Sequence, residues 1–169
     1  MKKLVFASLI SMALFSCGKE KKTEEVKQPE KVNKYAVRID GIYKEDDSIS
    51  VVYKLDTYFQ YEKALGLKVK GAPEVQSLLI DVPEGIAVEN VQLTVSTNKN
   101  QKEITLKNII ILNDKKEVYN VSNQSITDYF DFNPGISLDF NTRVSPLNFE
   151  GKYPPGLTGN QNLEGELLK

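Results

Sequence analysis

The 169-residue sequence has no His, no Trp and a single Cys. Without His, the commonest general base and the commonest metal ligand are both missing. A Ser-His-Asp or Cys-His centre, or a zinc site of the usual His-bearing kinds, therefore cannot be assembled within this chain. One Cys excludes an internal disulfide. Net charge is scarce too: 22 Lys+Arg against 23 Asp+Glu leave -1, which gives no electrostatic footprint for nucleic acid. The amino-terminal apolar run, residues 4–15, has 12 residues, short of the roughly 20 that a spanning helix needs. The length suits one domain of ordinary size.

What is present begins at the amino terminus. Lys2 and Lys3 precede the apolar run LVFASLISMALF, the order of a signal peptide's n- and h-regions. The run leads to the only cysteine. Leu14-Phe15-Ser16-Cys17-Gly18 resembles the lipobox of bacterial lipoproteins, in which a leucine three before and a small residue just before the cysteine guide lipidation and cleavage. Phe15 stands where a small or β-branched residue is usual. The resemblance implies that residues 1–16 are removed and that Cys17 carries a diacylglyceryl thioether and an N-acyl chain. The competing reading is a secreted protein with a coincidental cysteine near an ordinary cleavage site. At roughly 0.8 kcal/mol per buried CH₂, several long chains would hold the protein on a membrane permanently.

Residues 17–34 form the next segment. Between Gly18 and Lys34 lie six Lys and four Glu, with Pro29 and no aromatic, so little apolar surface is available to offset ordering entropy. A charged, disordered tether is expected. Lys19-Glu20 is similar to the Lys-then-acidic signal that routes lipoproteins of Bacteroidetes-type bacteria to the outer membrane. The expected location is therefore the outer membrane, lipid-anchored, on its periplasmic or cell-surface face. With +2 in the signal and +2 in the tether, the total of -1 leaves -5 for the body from Tyr35 onward.

That body alternates with period two. Tyr35, Val37 and Ile39 oppose Arg38 and Asp40; Ile49, Val51, Tyr53 and Leu55 oppose Ser48, Ser50 and Lys54. Two half-buried strands result, and Glu45-Asp46-Asp47 between them reads as a hairpin turn. Further strands are expected at 75–82, ended by Pro83-Glu84-Gly85, at 91–95, at 104–112 as a central strand, at 117–121 and at 135–141. A short helix is expected near 56–66, with Asp56 as N-cap, Gly66 at its end and Tyr58, Tyr61 and Leu65 on one stripe. Residues 125–130 read as a helical turn or a strand. Seven or so short strands over 35–150 predict an all-β, antiparallel β-sandwich of jelly-roll or immunoglobulin-like type, with a closed β-barrel as the alternative. Residues 151–169 read as a Pro/Gly-rich tail, irregular around Pro154-Pro155-Gly156, with a last helical turn over 163–169.

Several groups could carry chemistry. Tyr58, Phe59 and Tyr61, with Tyr53, could form a platform on which sugar rings stack, or could be core and helix-stripe aromatics. Asp128, Asp131 and Asn133 offer oxygen ligands close in sequence, but they follow no EF-hand pattern. They read as a turn before a strand, Glu45-Asp46-Asp47 reads as a turn too, and neither a metal nor a cofactor is expected. No G-x-S-x-G or other nucleophile motif occurs, and nothing singles out a carboxylate pair for glycoside hydrolysis. Asp47-Ser48-Ile49 resembles the short acceptor motif for O-glycosylation in Bacteroidetes periplasm, which would place the sugar on Ser48 in an exposed turn. The run VPEGIAVENVQLTVSTNKNQKEITLKNIIIL resembles small β-sandwich lipoproteins of Bacteroidetes envelopes and carbohydrate-binding-like sandwich domains. Together these features predict a non-catalytic module on a membrane, binding a glycan or an envelope protein. The alternatives are an assembly subunit of an envelope complex and a small carboxylate-based hydrolase.

Overall fold

A computed structural model describes residues 32–169. The expected signal peptide, Cys17 and the expected tether as far as Lys31 lie outside the described residues. The strands are β1 (Tyr35–Tyr43), β2 (Asp47–Leu55), β3 (Tyr58–Phe59), β4 (Leu65–Val69), β5 (Ala72–Asp81), β6 (Asn90–Thr94), β7 (Glu103–Asn113), β8 (Lys116–Ser122), β9 (Phe130–Phe132), β10 (Ser145–Pro146) and β11 (Gly156–Gly159). Two short helices, α1 (Ile126–Tyr129) and α2 (Gln161–Leu167), complete the set. The strands form two antiparallel sheets. The first runs β5-β1-β7, and β8 and β10 share the outer edge of β7. In the second, β2-β6-β11-β9, the outer edge of β2 is shared by β3 and β4. The architecture is an all-β sandwich, with two separate sheets rather than one closed on itself.

The core follows from the alternation. Val37, Ile39 and Tyr43 of β1 and Ile109 and Ile111 of β7 face Ile49, Val51 and Tyr53 of β2, Val91 and Leu93 of β6 and Leu157 of β11, all buried in one cluster. Each such aliphatic side chain contributes roughly 1.5–3 kcal/mol by leaving water. The opposite residues of the same strands form the two outer faces and are mostly polar, with Ala36, Val52 and Ile110 as buried apolar exceptions.

Four expectations are corrected. First, β1 and β2 are not a hairpin: they lie in different sheets, and residues 44–46 cross between them. Alternation says that a strand has one buried face, and facing another sheet across the core satisfies that as well as pairing does. Second, the helix near 56–66 is only a 3₁₀ turn, Tyr61–Lys63. Asp56 and Thr57 have φ of 51° and 71°, which reverse the chain from β2 into β3 as a tight turn. Glu89 locks that turn, its two carboxylate oxygens accepting from the N–H groups of Asp56 and Thr57 at 2.9 Å each. Third, residues 135–141 hold no strand; Ile136 makes one isolated bridge to Leu147, and the nearest preceding strand, β9, ends at Phe132. Fourth, the presumed tail is part of the sandwich. β11 pairs with β6 on one side and β9 on the other, and α2 starts at Asn160, whose side chain accepts from the N–H groups of Asn162 and Leu163. Pro155 stops just short of β11, and at Gly156 a side chain would clash, since a Cβ would lie 2.6 Å from the Leu93 carbonyl oxygen.

Candidate functional site

Because Ile49, Val51 and Tyr53 point inward, Ser48, Ser50, Val52 and Lys54 point out of the second sheet. Register aligns Val52 with Gln92, Gln92 with Thr158 and Thr158 with Asp131, making one row across four strands. Ser50, Thr94 and Gly156 form the next. Apart from Val52, the outer face thus presents hydroxyl, amide and carboxylate groups. Tyr61 reaches it: its hydroxyl donates to Gln92 Oε1 at 3.0 Å.

The aromatic residues read from the sequence part company here. Tyr53 belongs to the core at 1% exposure, whereas Tyr58 and Tyr61 are 74% and 63% exposed. Phe59 is half-buried, its ring 6.1 Å from that of Tyr61 and tilted by 41°. The reversal at Asp56-Thr57 brings all three to the rim of the second sheet, so the helical stripe does not exist but the exposed aromatics do.

Beside Phe59 lies a cleft of about 530 Å³, lined also by Asn90, Asp131, Asn160, Asn162 and Glu164. Lys54 Nζ donates to Glu164 Oε1 at 2.6 Å and Asn90 Nδ2 to Glu164 Oε2 at 3.1 Å. The Lys54 ammonium, then the Asn90 amide, hold the Glu164 carboxyl below the usual carboxylate range. Asp46 is lowered in the same way by Lys70 and the Gly71 N–H, and Asp139 by the N–H groups of Asn141 and Thr142. A carboxyl depressed in the folded state adds stability above its unfolded value and loses it as pH falls through the folded one. Melting temperature is therefore expected to hold at neutral pH and to fall below about pH 4, with a shallower fall in Glu164→Gln than in the parent chain.

The other sequence-predicted residues lie elsewhere. Ser48 lies half-buried in β2 opposite Lys68 rather than in an exposed turn, and its carbonyl accepts from Thr97 Oγ1 at 3.4 Å. Asp128, Asp131 and Asn133 do not converge. Asn133 Oδ1 accepts from the Gly135 N–H at 2.8 Å, and its Nδ2 donates to the Pro154 carbonyl at 2.9 Å. Among the described residues no three Asp, Glu, Cys or His side chains are grouped to hold a metal.

Sequence reasoning missed a second polar pocket, lined by Lys107, Ser122, Asn123, Gln124 and Arg143. Its one sequence signal is Lys107, a charge set inside the apolar run 104–112. No known family, no curated protein and no solved structure matches this chain.

Proposed function

We propose that this chain is a lipid-anchored cell-envelope protein whose non-catalytic β-sandwich binds a glycan. The observation that carries the reading is the pair Tyr58 and Tyr61, solvent-exposed beside a sheet face that presents hydroxyl and amide groups. Sugar rings offer apolar C–H faces to aromatic rings and hydroxyls to amides, so the two halves of this surface match the two halves of a saccharide. The anchor rests on the sequence around Cys17.

A protein partner is the second reading. It is favoured by β5, whose outer edge carries no paired strand among the described residues and whose Val75 and Leu79 are about half exposed; such an edge accepts an added strand. The hydrolase reading is the least supported. No carboxylate pair is singled out for it.

Affinity electrophoresis through polysaccharide gels tests the glycan reading. Retention of the parent chain should weaken about tenfold or more in the double variant Tyr58→Ala/Tyr61→Ala, the equivalent of ~1.4 kcal/mol. Its melting temperature should stay within about 4 °C of the parent, because both rings are mostly in solvent. Unchanged retention with a melted fold would make these rings structural.

A further inference from the structure

The outer edge of β7 changes partner along its length. β8 pairs with residues 108–113 and β10 with residues 103–104, leaving a notch at 105–107. Asn123 fills it. Its N–H donates to the Lys107 carbonyl at 2.8 Å, and its Nδ2 donates to the carbonyls of Leu106 and Arg143, the latter at 3.3 Å. These two bonds fix the amide's orientation and leave Asn123 Oδ1 buried without a partner.

Arg143 is held at φ 60°, a left-handed conformation that a side chain such as Arg rarely adopts. It is pinned from both ends: its N–H donates to the Asp139 carbonyl at 2.7 Å, and its carbonyl accepts from Asn123. Such a backbone persists where the surroundings over-determine it, and sites of function are where it concentrates. The result is a pocket of about 410 Å³ lined by Lys107, Ser122, Asn123, Gln124 and Arg143. Two cations and no acid line it, and neither cation forms an ion pair among the described residues. The Arg143 guanidinium lies 5.7 Å from the ring centre of Phe140, which is 62% exposed. The nearby Asp139 carboxylate accepts from the N–H groups of Asn141 and Thr142 through Oδ1 alone.

We propose that this notch binds the acidic unit of a polysaccharide, a hexuronate-type sugar, with its carboxylate between Lys107 and Arg143. The inference rests on the glycan reading and adds a second, charge-selective subsite to it. Cations alone would suit any anion. A sugar ring is favoured over a bare anion by Phe140, exposed beside Arg143, which offers an apolar face to the ring's C–H groups. Ser122 and Gln124 serve the remaining hydroxyls.

Calorimetric titration of the full chain in detergent with trigalacturonate tests this, with maltotriose, inorganic phosphate and polyglutamate as comparison probes. Trigalacturonate should bind, and Lys107→Gln and Arg143→Asn should each weaken it at least tenfold. Asn tolerates the left-handed backbone; should Arg143→Asn nonetheless unfold, the exposed Lys107 position decides alone. No binding of trigalacturonate, equal affinity in the Lys107 variant, or equal binding of phosphate or polyglutamate at the notch would each overturn the proposal. Maltotriose binding that depends on Tyr58 and Tyr61, with no response to trigalacturonate, would remove this subsite and leave the glycan reading standing.

Discussion

A chain ending at Glu150 is expected to lose cooperative unfolding altogether. Truncation there removes β11 from between β6 and β9, opening two strand edges inside the second sheet at once. It also removes Leu157 and Leu163, both at 0% exposure in the common core. Cutting one buried leucine back to alanine already destabilises by about 2–5 kcal/mol. Two such losses, together with the strand's hydrogen bonds, approach or exceed the roughly 5–15 kcal/mol that holds an ordinary domain together. Near-ultraviolet circular dichroism during a thermal scan should show no sigmoidal transition in the truncated chain. A sharp transition within about 5 °C of the full-length protein would mean that residues 151–169 are an appendage after all.

Asp47→Ala should be the most damaging single substitution among the polar residues. The carboxylate is buried at 8% exposure and joins the β1–β2 crossing to the loop after β6. Oδ2 accepts from Ser96 Oγ at 2.6 Å, and Oδ1 accepts from the N–H groups of Ser48, Thr97 and Asn98 at 2.7, 2.8 and 3.0 Å. Alanine would strand all four donors. Each hydrogen bond to a charged group is worth about 1.5–3 kcal/mol, less than additively within one cluster. A net loss of about 4 kcal/mol corresponds to a fall in melting temperature of very roughly 10–15 °C. Asp47→Asn keeps one accepting oxygen and should fall between alanine and the parent. A shift under about 3 °C for alanine would show that water replaces the carboxylate without loss.

Much of the fold was legible because β-structure writes itself as period two. β1, β2, β6 and β7 stand where alternation puts them, and the run 104–112, with Ile109, Ile110 and Ile111 all buried, is a central strand. What alternation does not carry is sheet membership, so residues 44–46 read equally as a hairpin turn or as a crossing. Asp56-Thr57 was misread for a different reason. Asp suits both an N-cap and a left-handed turn, and Thr at φ 71° is held there by Glu89, a residue 32 positions away. β11 escaped notice because four residues between a Pro pair and an Asn cap are too few to show a period.

The candidate surfaces divide in the same way. The sequence marks Tyr58 and Tyr61 as aromatics, but the side of the chain they occupy depends on the turn that precedes them. The notch at Lys107 was hidden further, since Lys107, Asn123 and Arg143 come from three segments that meet only when β8 and β10 share one strand edge.

We propose that this sandwich works while tethered to a membrane by lipid on Cys17, and mass spectrometry of the native protein's amino-terminal peptide is the decisive measurement. The account predicts a peptide that begins at Cys17, carrying a thioether-linked diacylglyceryl group and an amide-linked acyl chain. A mature chain that begins elsewhere, or a Cys17 with its thiol unmodified, would contradict it.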